Sequence, residues 1–328
     1  MSSLRPLVLS GTEAGLPLAG QAHVRFDRVD RAGEVIDAAT LSDVDRARLS
    51  DLRPAICGLT LDRPRIMGIL NVTPDSFSDG GQYDGFDAAV ARATEMARDA
   101  DILDIGGEST RPGAVEVPVE EEIRRTAPVI RALRDAGLSL PISIDTRKAR
   151  VAEAALDAGA DIVNDVSALG FDPDLAGLVA ERGVPVCLMH AKGDPETMQN
   201  NPRYDDVLGE VIATLADRVA FAEGQGIARD RIIADPGIGF GKTQAHNLTL
   251  LRGLSAFHDL GLPVLLGASR KRFIGTIGGA AEARDRMPGS VAVALHGIAQ
   301  GAQIIRVHDV AETAQAVRLW MELAGREA

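Results

Sequence analysis

"RIIADPGIGFGKT", residues 231–243, is an apolar β-prone run that stops on an acid and then turns on alternating glycines. Its last residues, Gly241-Lys242-Thr243, fit the end of the nucleotide phosphate loop G-x-x-x-x-G-K-[ST], but Pro236 stands where that loop needs its first glycine. A phosphate loop should also follow an early strand and run straight into a helix. Here the next helical pattern starts only near Asn247. The other reading makes the run one strand of a parallel sheet, with Asp235 delivered at its C-terminal end. The neighbouring runs decide between them.

From residue 65 onward, short apolar runs alternate with longer helical patterns. The runs are "RIMGIL" (65–70), "DILDI" (101–105), "PISID" (141–145), "DIVND" (161–165), "VPVCLMH" (184–190), "RIIAD" (231–235), "PVLLG" (263–267) and "QIIRV" (303–307). Most are continuous Val/Ile/Leu runs, as parallel strands covered on both faces require. Between them, "FDAAVARATEMARDA" carries a helical apolar stripe. "VEEEIRRTAPVIRALRDAG" has acids in its first turn and a terminal glycine. Several other helical patterns end in Gly, consistent with left-handed caps. The motif under question therefore follows the sixth strand. Eight strand–helix units in about 260 residues match a (β/α)8 TIM barrel, with an open doubly wound sheet as runner-up. A barrel gathers all eight strand ends around one mouth, and every run here ends in polar residues or a Gly-rich loop. The α/β barrel is therefore the expected fold, spanning residues 61–328. Residues 1–60 read as an N-terminal extension of unassigned role against the barrel bottom, with "AHVRF" a short strand and "LSDVDRARLSDL" a short helix.

Composition narrows the function. The formal charge of −12 disfavours nucleic acid or an anionic membrane as partner. Aromatics are only 3%, so Ala, Val, Ile and Leu must fill a layered interior. Cys57 and Cys187 are far apart, without metal-like spacing, and read as buried reduced thiols of a cytoplasmic protein. Neither a signal peptide nor a membrane span is expected.

The strand ends divide into two chemistries. Asp145, Asn164 and Asp235 are acceptors and an amide on buried strands, where an unpaired group costs about 1–3 kcal/mol. Each has a bland alternative, such as a helix cap or a turn residue. Together they suit the edge of a flat heterocycle rich in N–H groups. Arg111, Lys271, Arg306 and His308, with Asn71, Ser109 and Thr110, form a cationic and polar set that suits phosphate in an otherwise acidic protein. The expected ligand is a polar heterocycle linked to an anion. The loops "TPDSFSDGGQYDG" and "GGESTRPGAVEVPVE" have the composition of lids.

The ordered motifs "MGILNVTPDSFSDGG", "DIGGESTRPGA", "ISIDT", "VNDVS", "LMH", "DPGIGFGK", "SRK" and "RVHDV" resemble dihydropteroate synthases over about residues 64–310. The resemblance implies a cytoplasmic, homodimeric (β/α)8 transferase of folate biosynthesis. It would join the pyrophosphate ester of 6-hydroxymethyl-7,8-dihydropterin to p-aminobenzoate, and sulfonamides would compete with the latter. C–O cleavage would precede attack by the arylamine. By motif, the pterin set is Thr110, Asp145, Asn164, Met189, Asp235, Phe240, Lys271 and Arg306. The pyrophosphate set is Asn71, Arg111, Arg306 and His308, with Asn71 also holding Mg2+ as the implied cofactor. Phe77 and Pro112 would close over p-aminobenzoate, and catalytic roles fall to Asp145, Lys271, Arg306 and Asp79. Arg272 departs from members that carry a small polar residue there.

Three other functions compete. A methyltetrahydrofolate-dependent methyltransferase would share the acid–amide trio but not the pyrophosphate set. A noncatalytic pterin-binding paralogue would be expected to lose loop residues. A Schiff-base aldolase would use Lys271 as nucleophile. On the resemblance, Asp235 is the informative residue of the opening motif, and Lys242 falls outside the site.

Overall fold

The computed structural model describes residues 3–9, 14–73, 82–109, 114–193 and 197–325, without the side chains of residues 82–84. The N-terminal part is a small antiparallel sheet: β1 (Leu4–Leu9), β2 (Leu16–Leu18), β3 (Gln21–Arg31) and β4 (Glu34–Asp37), followed by α1 (Asp43–Ser50). β3 is the hub and pairs with the other three. It is longer than the "AHVRF" run, because Arg25, Asp27, Arg28 and Asp30 alternate with inward Phe26 and Val29 and dilute the apolar signal. Ser42 caps α1 by accepting from the Asp45 N–H at 3.1 Å. Leu18, Val24, Phe26, Val29 and Leu49 close this unit's own core.

Alternation of strand and helix begins at β5 (Arg65–Asn71) and α2 (Gln82–Met96). It continues through β6 (Ile102–Gly106), α3 (Val119–Asp135), β7 (Ile142–Asp145), α4 (Ala149–Asp157), β8 (Ile162–Asp165), α5 (Leu175–Arg182), β9 (Val186–Met189) and α6 (Val207–Gly224). β10 (Ile232–Asp235), α7 (Gln244–Arg252), β11 (Leu265–Leu266), α8 (Arg272–Gly278), α9 (Met287–Ala299), β12 (Ile304–Val307) and α10 (Val310–Leu323) complete it. The strands run in parallel in the order β10-β9-β8-β7-β6-β5-β12-β11. A parallel bridge from Ala234 to Val264 joins the two ends. All eight strands expected from sequence are present and the sheet is a barrel, not an open doubly wound sheet.

One helix starts earlier than expected and one is not expected at all. α7 starts at Gln244, not near Asn247, because Thr243 and His246 form a reciprocal capping box, each accepting the other's N–H at 3.2 Å. α8 was not expected: it has seven residues, two of them glycine, too few to show a period. Elsewhere the cap signals hold, with Gly183 left-handed at φ 61° directly after α5.

Strand residues alternate between two environments. Ile66, Leu103, Ile105, Ile144, Val163, Leu188 and Ile305 face the helices in the main core. Met67, Ile102, Ile162, Cys187, Ile233, Leu265 and Ile304 fill the barrel interior with Ile56 and Leu61. The N-terminal sheet docks on segments that feed β11 and β12, at the N-terminal rim. Ser255 Oγ donates to Pro6 O at 2.8 Å, the Leu4 N–H to Asp259 at 3.1 Å, and Gln21 Nε2 to Gly301 O at 2.7 Å. Both cysteines are free, but only Cys187 is buried; Cys57 is half-buried, contrary to expectation. Among the described residues no helix is long and apolar enough to cross a membrane.

Candidate active site

Two residues beyond the apolar filling of the barrel, the same inward phase of the strands becomes polar. Ile102 gives way to Asp104, Ile162 to Asn164, Ile233 to Asp235 and Ile304 to Arg306; Cys187 gives way to Met189. Lateral register aligns them across strands. Asn71 pairs with Gly106, Gly106 with Asp145, and Asp145 with Asn164. The last residues of β5, β6 and β7, and Asn164 one residue before the end of β8, thus lie at one level.

Arg306 organises this layer. Its Nε donates to Asp104 Oδ2 at 2.6 Å and its Nη2 to Asp145 Oδ2 at 2.5 Å. Asn164 Nδ2 donates to the same Asp104 oxygen at 3.2 Å. One guanidinium therefore serves two carboxylates. The other oxygens, Asp104 Oδ1 and Asp145 Oδ1, are buried and accept no hydrogen bond among the described residues. Buried acceptors left open are costly, so they mark a place built for donors from a ligand.

Electrostatics agree. Burial pushes the Asp145 carboxyl up to about 7, against the pull of Arg306 and with help from Asp104. Burial likewise raises Asp235 to about 6, opposed by the Gly237 N–H at 2.7 Å from Oδ1 and then by Arg306 and Lys271. Burial works to weaken the Arg306 cation, but Asp104 and Asp145 outweigh it and hold the guanidinium more firmly protonated than usual. Buried carboxyls with raised pKa at one mouth are what a binding or reacting site requires, and the apolar layer below contains none.

The remaining walls come from the turns after the strands. A Cβ on Gly267 would sit 3.7 Å from Asp235 Oδ2 and 3.8 Å from Arg306 Cδ, so this glycine keeps the space between them open. Lys271 Nζ lies 4.0 Å from the centre of the Phe240 ring, a cation–π contact that ties the turn after β11 to the turn after β10. The backbone N–H of His308 donates to Ser269 Oγ at 3.2 Å, and its Nδ1 lies 3.0 Å from the same oxygen. Arg270 sits in the left-handed region at φ 57°, held there by an ion pair to Asp309 and by its N–H, which donates to Ser290 Oγ at 2.9 Å. Ser269 and Arg270 thereby hold Lys271 and His308 on neighbouring turns. Met189 closes β9, buried. Arg272 is exposed at the start of α8.

Of the residues singled out from sequence, Asn71, Asp145, Asn164, Met189, Asp235, Phe240, Lys271, Arg306 and His308 all lie at the C-terminal ends of strands or in the turns after them. Phe77, Asp79, Thr110, Arg111 and Pro112 lie outside the described residues. The sequence reading missed Asp104, the fully buried partner of Arg306. It also missed the ion network under the turn after β6. There Lys148 contacts Glu108, donates to Glu122 at 2.9 Å and to Val117 O at 2.5 Å, while Glu108 accepts from the Val117 N–H at 2.9 Å. That network fastens residues 108 and 117 to the segment that starts at Asp145.

No group of three His, Cys, Asp or Glu among the described residues could hold a metal ion. Asn71, the last residue of β5, offers a single neutral oxygen. One such oxygen suits an ion that takes most of its ligands from water and substrate phosphates, as magnesium does.

Comparison with known proteins adds independent support. A family model described as pterin binding enzyme matches residues 67–308, which leaves the N-terminal sheet outside the match. A dihydropteroate synthase of Synechocystis is 48% identical over 246 residues, covering 75% of this chain and 85% of its own. A solved dihydropteroate synthase of Xanthomonas albilineans with 4-aminobenzoic acid superposes with a TM-score of 0.77 at 50% identity, over 83% of this chain and 97% of that one. The same organism's enzyme in complex with 7,8-dihydropteroate gives 0.74 at 48% identity, over 81% and 95%.

Proposed function

The chain belongs to the dihydropteroate synthase family, and from that membership we propose how its barrel mouth joins a dihydropterin pyrophosphate ester to p-aminobenzoate, releasing 7,8-dihydropteroate and pyrophosphate. It is a transferase. The observation that carries the reading is the layer of buried acids and amide around Arg306, with open acceptors on Asp104 and Asp145. A pterin edge supplies the N–H and amino donors that such acceptors lack. Asp235 and Asn164 complete the edge, Met189 and Phe240 pack against the ring, and Lys271 reaches it from the turn after β11. Arg306 lies between the pterin and the phosphates, which His308, Asn71, Thr110 and Arg111 bind.

The mechanism follows from these groups. The C–O bond breaks first, and pyrophosphate leaves with the bonding pair. The cations of Arg306 and Lys271 bind the departing charge, a preorganised electrostatic effect. Asp145, when ionised, faces the pterin-methyl cation and stabilises it. The neutral arylamine then attacks the methylene carbon and sheds a proton. Phe77 and Pro112 cover p-aminobenzoate, and Asp79 accompanies them, so that water does not compete. Asn71 and the substrate phosphates would hold Mg2+, which when bound neutralises phosphate charge. The enzyme works as a cytoplasmic homodimer, and sulfonamides occupy the p-aminobenzoate position.

The test is pyrophosphate release from the purified chain with the pterin ester and Mg2+, with and without p-aminobenzoate. Release that depends on the arylamine, together with formation of dihydropteroate, is the expected result. Methyl transfer from methyltetrahydrofolate without pyrophosphate release would favour the methyltransferase instead. Neither activity, with pterin still bound, would leave a noncatalytic binding protein.

A further inference from the structure

We propose that Lys242 is a positioning residue for the pterin edge: its buried ammonium pins the turns after β9 and β10 together and so fixes Asp235 and Phe240. The inference rests on the pterin-transfer reading above and assigns the one lysine of the opening motif that reading leaves unused. Lys242 is only 3% exposed. Its Nζ donates to Gly237 O at 2.9 Å, Phe240 O at 3.0 Å and His190 O at 3.2 Å, and lies 2.9 Å from His190 Nδ1. Three ammonium protons meet four acceptors, so this side chain has no donor left for a phosphate. That separates it from the lysine of a nucleotide phosphate loop more firmly than its place in the chain does.

All four acceptors belong to two turns, and both turns carry site residues. His190 follows Met189. Gly237 O is held by Lys242, and the N–H of the same residue donates to Asp235 Oδ1 at 2.7 Å. Phe240 O is held too, and its ring lies against Lys271. The turns touch closely: at Gly237, φ 66°, a Cβ would come within 1.9 Å of His190 O, and at Gly241, φ 61°, within 2.3 Å of Lys192 O. Side chains fit neither place, so two bare backbones lie side by side with a cation between their carbonyls.

Simple anchoring does not explain why the pin is charged. No carboxylate among the described residues pairs with the ammonium; its hydrogen-bond partners are carbonyls and an imidazole. Burial, followed by the nearby lysine, holds His190 down at about 3, so its imidazole is neutral and Nδ1 can accept. Burial also lowers Lys242 itself to about 7, and the charge that chiefly opposes this is Asp235. The ammonium and the Asp235 carboxylate therefore favour each other's ionised forms without contact. Other bonds secure the same turn: Gln199 Nε2 to Gly239 O at 2.6 Å, Tyr204 Oη to Gly241 O at 2.9 Å, and the Gly239 N–H to Asn247 Oδ1 at 2.8 Å. These keep the turn folded when Lys242 is replaced.

The experiment is Lys242→Met in the full chain, which keeps length and removes charge and donors. Pterin binding without p-aminobenzoate is titrated by fluorescence, pyrophosphate binding by calorimetry, and KM for each substrate by pyrophosphate release. Pterin affinity should fall by about tenfold and KM for the pterin ester should rise to match, while pyrophosphate affinity and KM for p-aminobenzoate stay within about twofold. On an Asp235→Asn background the same replacement should lose most of its effect, because Lys242 acts on the pterin edge chiefly through Asp235. Equal weakening of all ligands, or additive effects in the double variant, would overturn the proposal. If the Met variant does not accumulate folded, Lys242→Gln goes through the same titrations, and selective or uniform weakening decides in the same way. Wild-type protein is assayed beside them. A wild type that releases no pyrophosphate sinks the synthase reading, while the pterin titrations still decide Lys242.

Discussion

The lower and upper layers of the barrel interior are made by the same strands, two residues apart. Below, Met67, Ile102, Ile162, Cys187, Ile233, Leu265 and Ile304 form an apolar plug that needs nothing else. Above, Asp104, Asn164, Asp235 and Arg306 continue the same inward phase with groups that cannot all satisfy one another. The backbone treats both alike, since a parallel ladder fixes only which residues point inward. What differs is completeness. The plug is saturated by its own packing and by Ile56, Leu59 and Leu61 from the segment that leads into β5. The mouth has surplus acceptors, which a ligand must satisfy. Stability and function are thereby divided along each strand, which is how a barrel tolerates costly polar groups in its interior.

The largest expected effect that tests this division is Arg306→Ala. Removing the shared cation leaves Asp104 and Asp145 buried and facing each other, a loss of about 3–5 kcal/mol by analogy with broken buried pairs. Activity should fall more than about a hundredfold, through both pterin and pyrophosphate. Urea unfolding at neutral pH and steady-state kinetics measure the two. A variant with unchanged stability would mean that the upper layer is not the strained one. Ile233→Ala probes the same strand two residues below Asp235. It should cost about 2–5 kcal/mol of stability by cavity formation, with KM for both substrates unchanged. A large KM effect there would break the division, because it would make the plug part of the site.

How much of this is visible in a linear sequence depends on the range of the interactions. The eight strands are legible because each is a short apolar run, and the mouth is legible because runs such as "PISID" and "RIIAD" end on an acid. Asp104 is not, since it lies inside "DILDIGG" between Leu103 and Ile105, and only its phase relative to Ile102 places it beside Arg306. The start of α7 is hidden because His246 takes the capping-box place usually held by Glu or Gln. Lys242 reads as a phosphate ligand from its neighbours and as an outsider from its family. Its place between two turns depends on His190, 52 residues away. Contacts of that range leave no periodic signature.

The smallest expected effect sharpens the comparison within one residue. If Asp235 holds the pterin edge as proposed, Asp235→Asn should weaken pterin binding by about tenfold while pyrophosphate alone binds as before. The same variant has an opposite signature in the unliganded protein. Folded Asp235 is held at about 6 by burial, above its ordinary value of 3.8. A carboxyl that binds its proton more tightly in the folded state opposes folding as the proton is lost. Asp235 therefore contributes a stability that is greatest at low pH and declines as pH rises from about 4 to about 6, by at most about 3 kcal/mol. Asp145, pushed up to about 7, acts in the same direction and extends the decline. Asn cannot ionise, so the unfolding free energy of wild type minus that of Asp235→Asn should fall across that window and level off above it. Pterin should reverse the sign, because its N–H groups favour the ionised carboxylate. A difference that rises with pH in the free protein would mean that Arg306 and Lys271 already satisfy Asp235. The mouth would then be as complete as the plug below it.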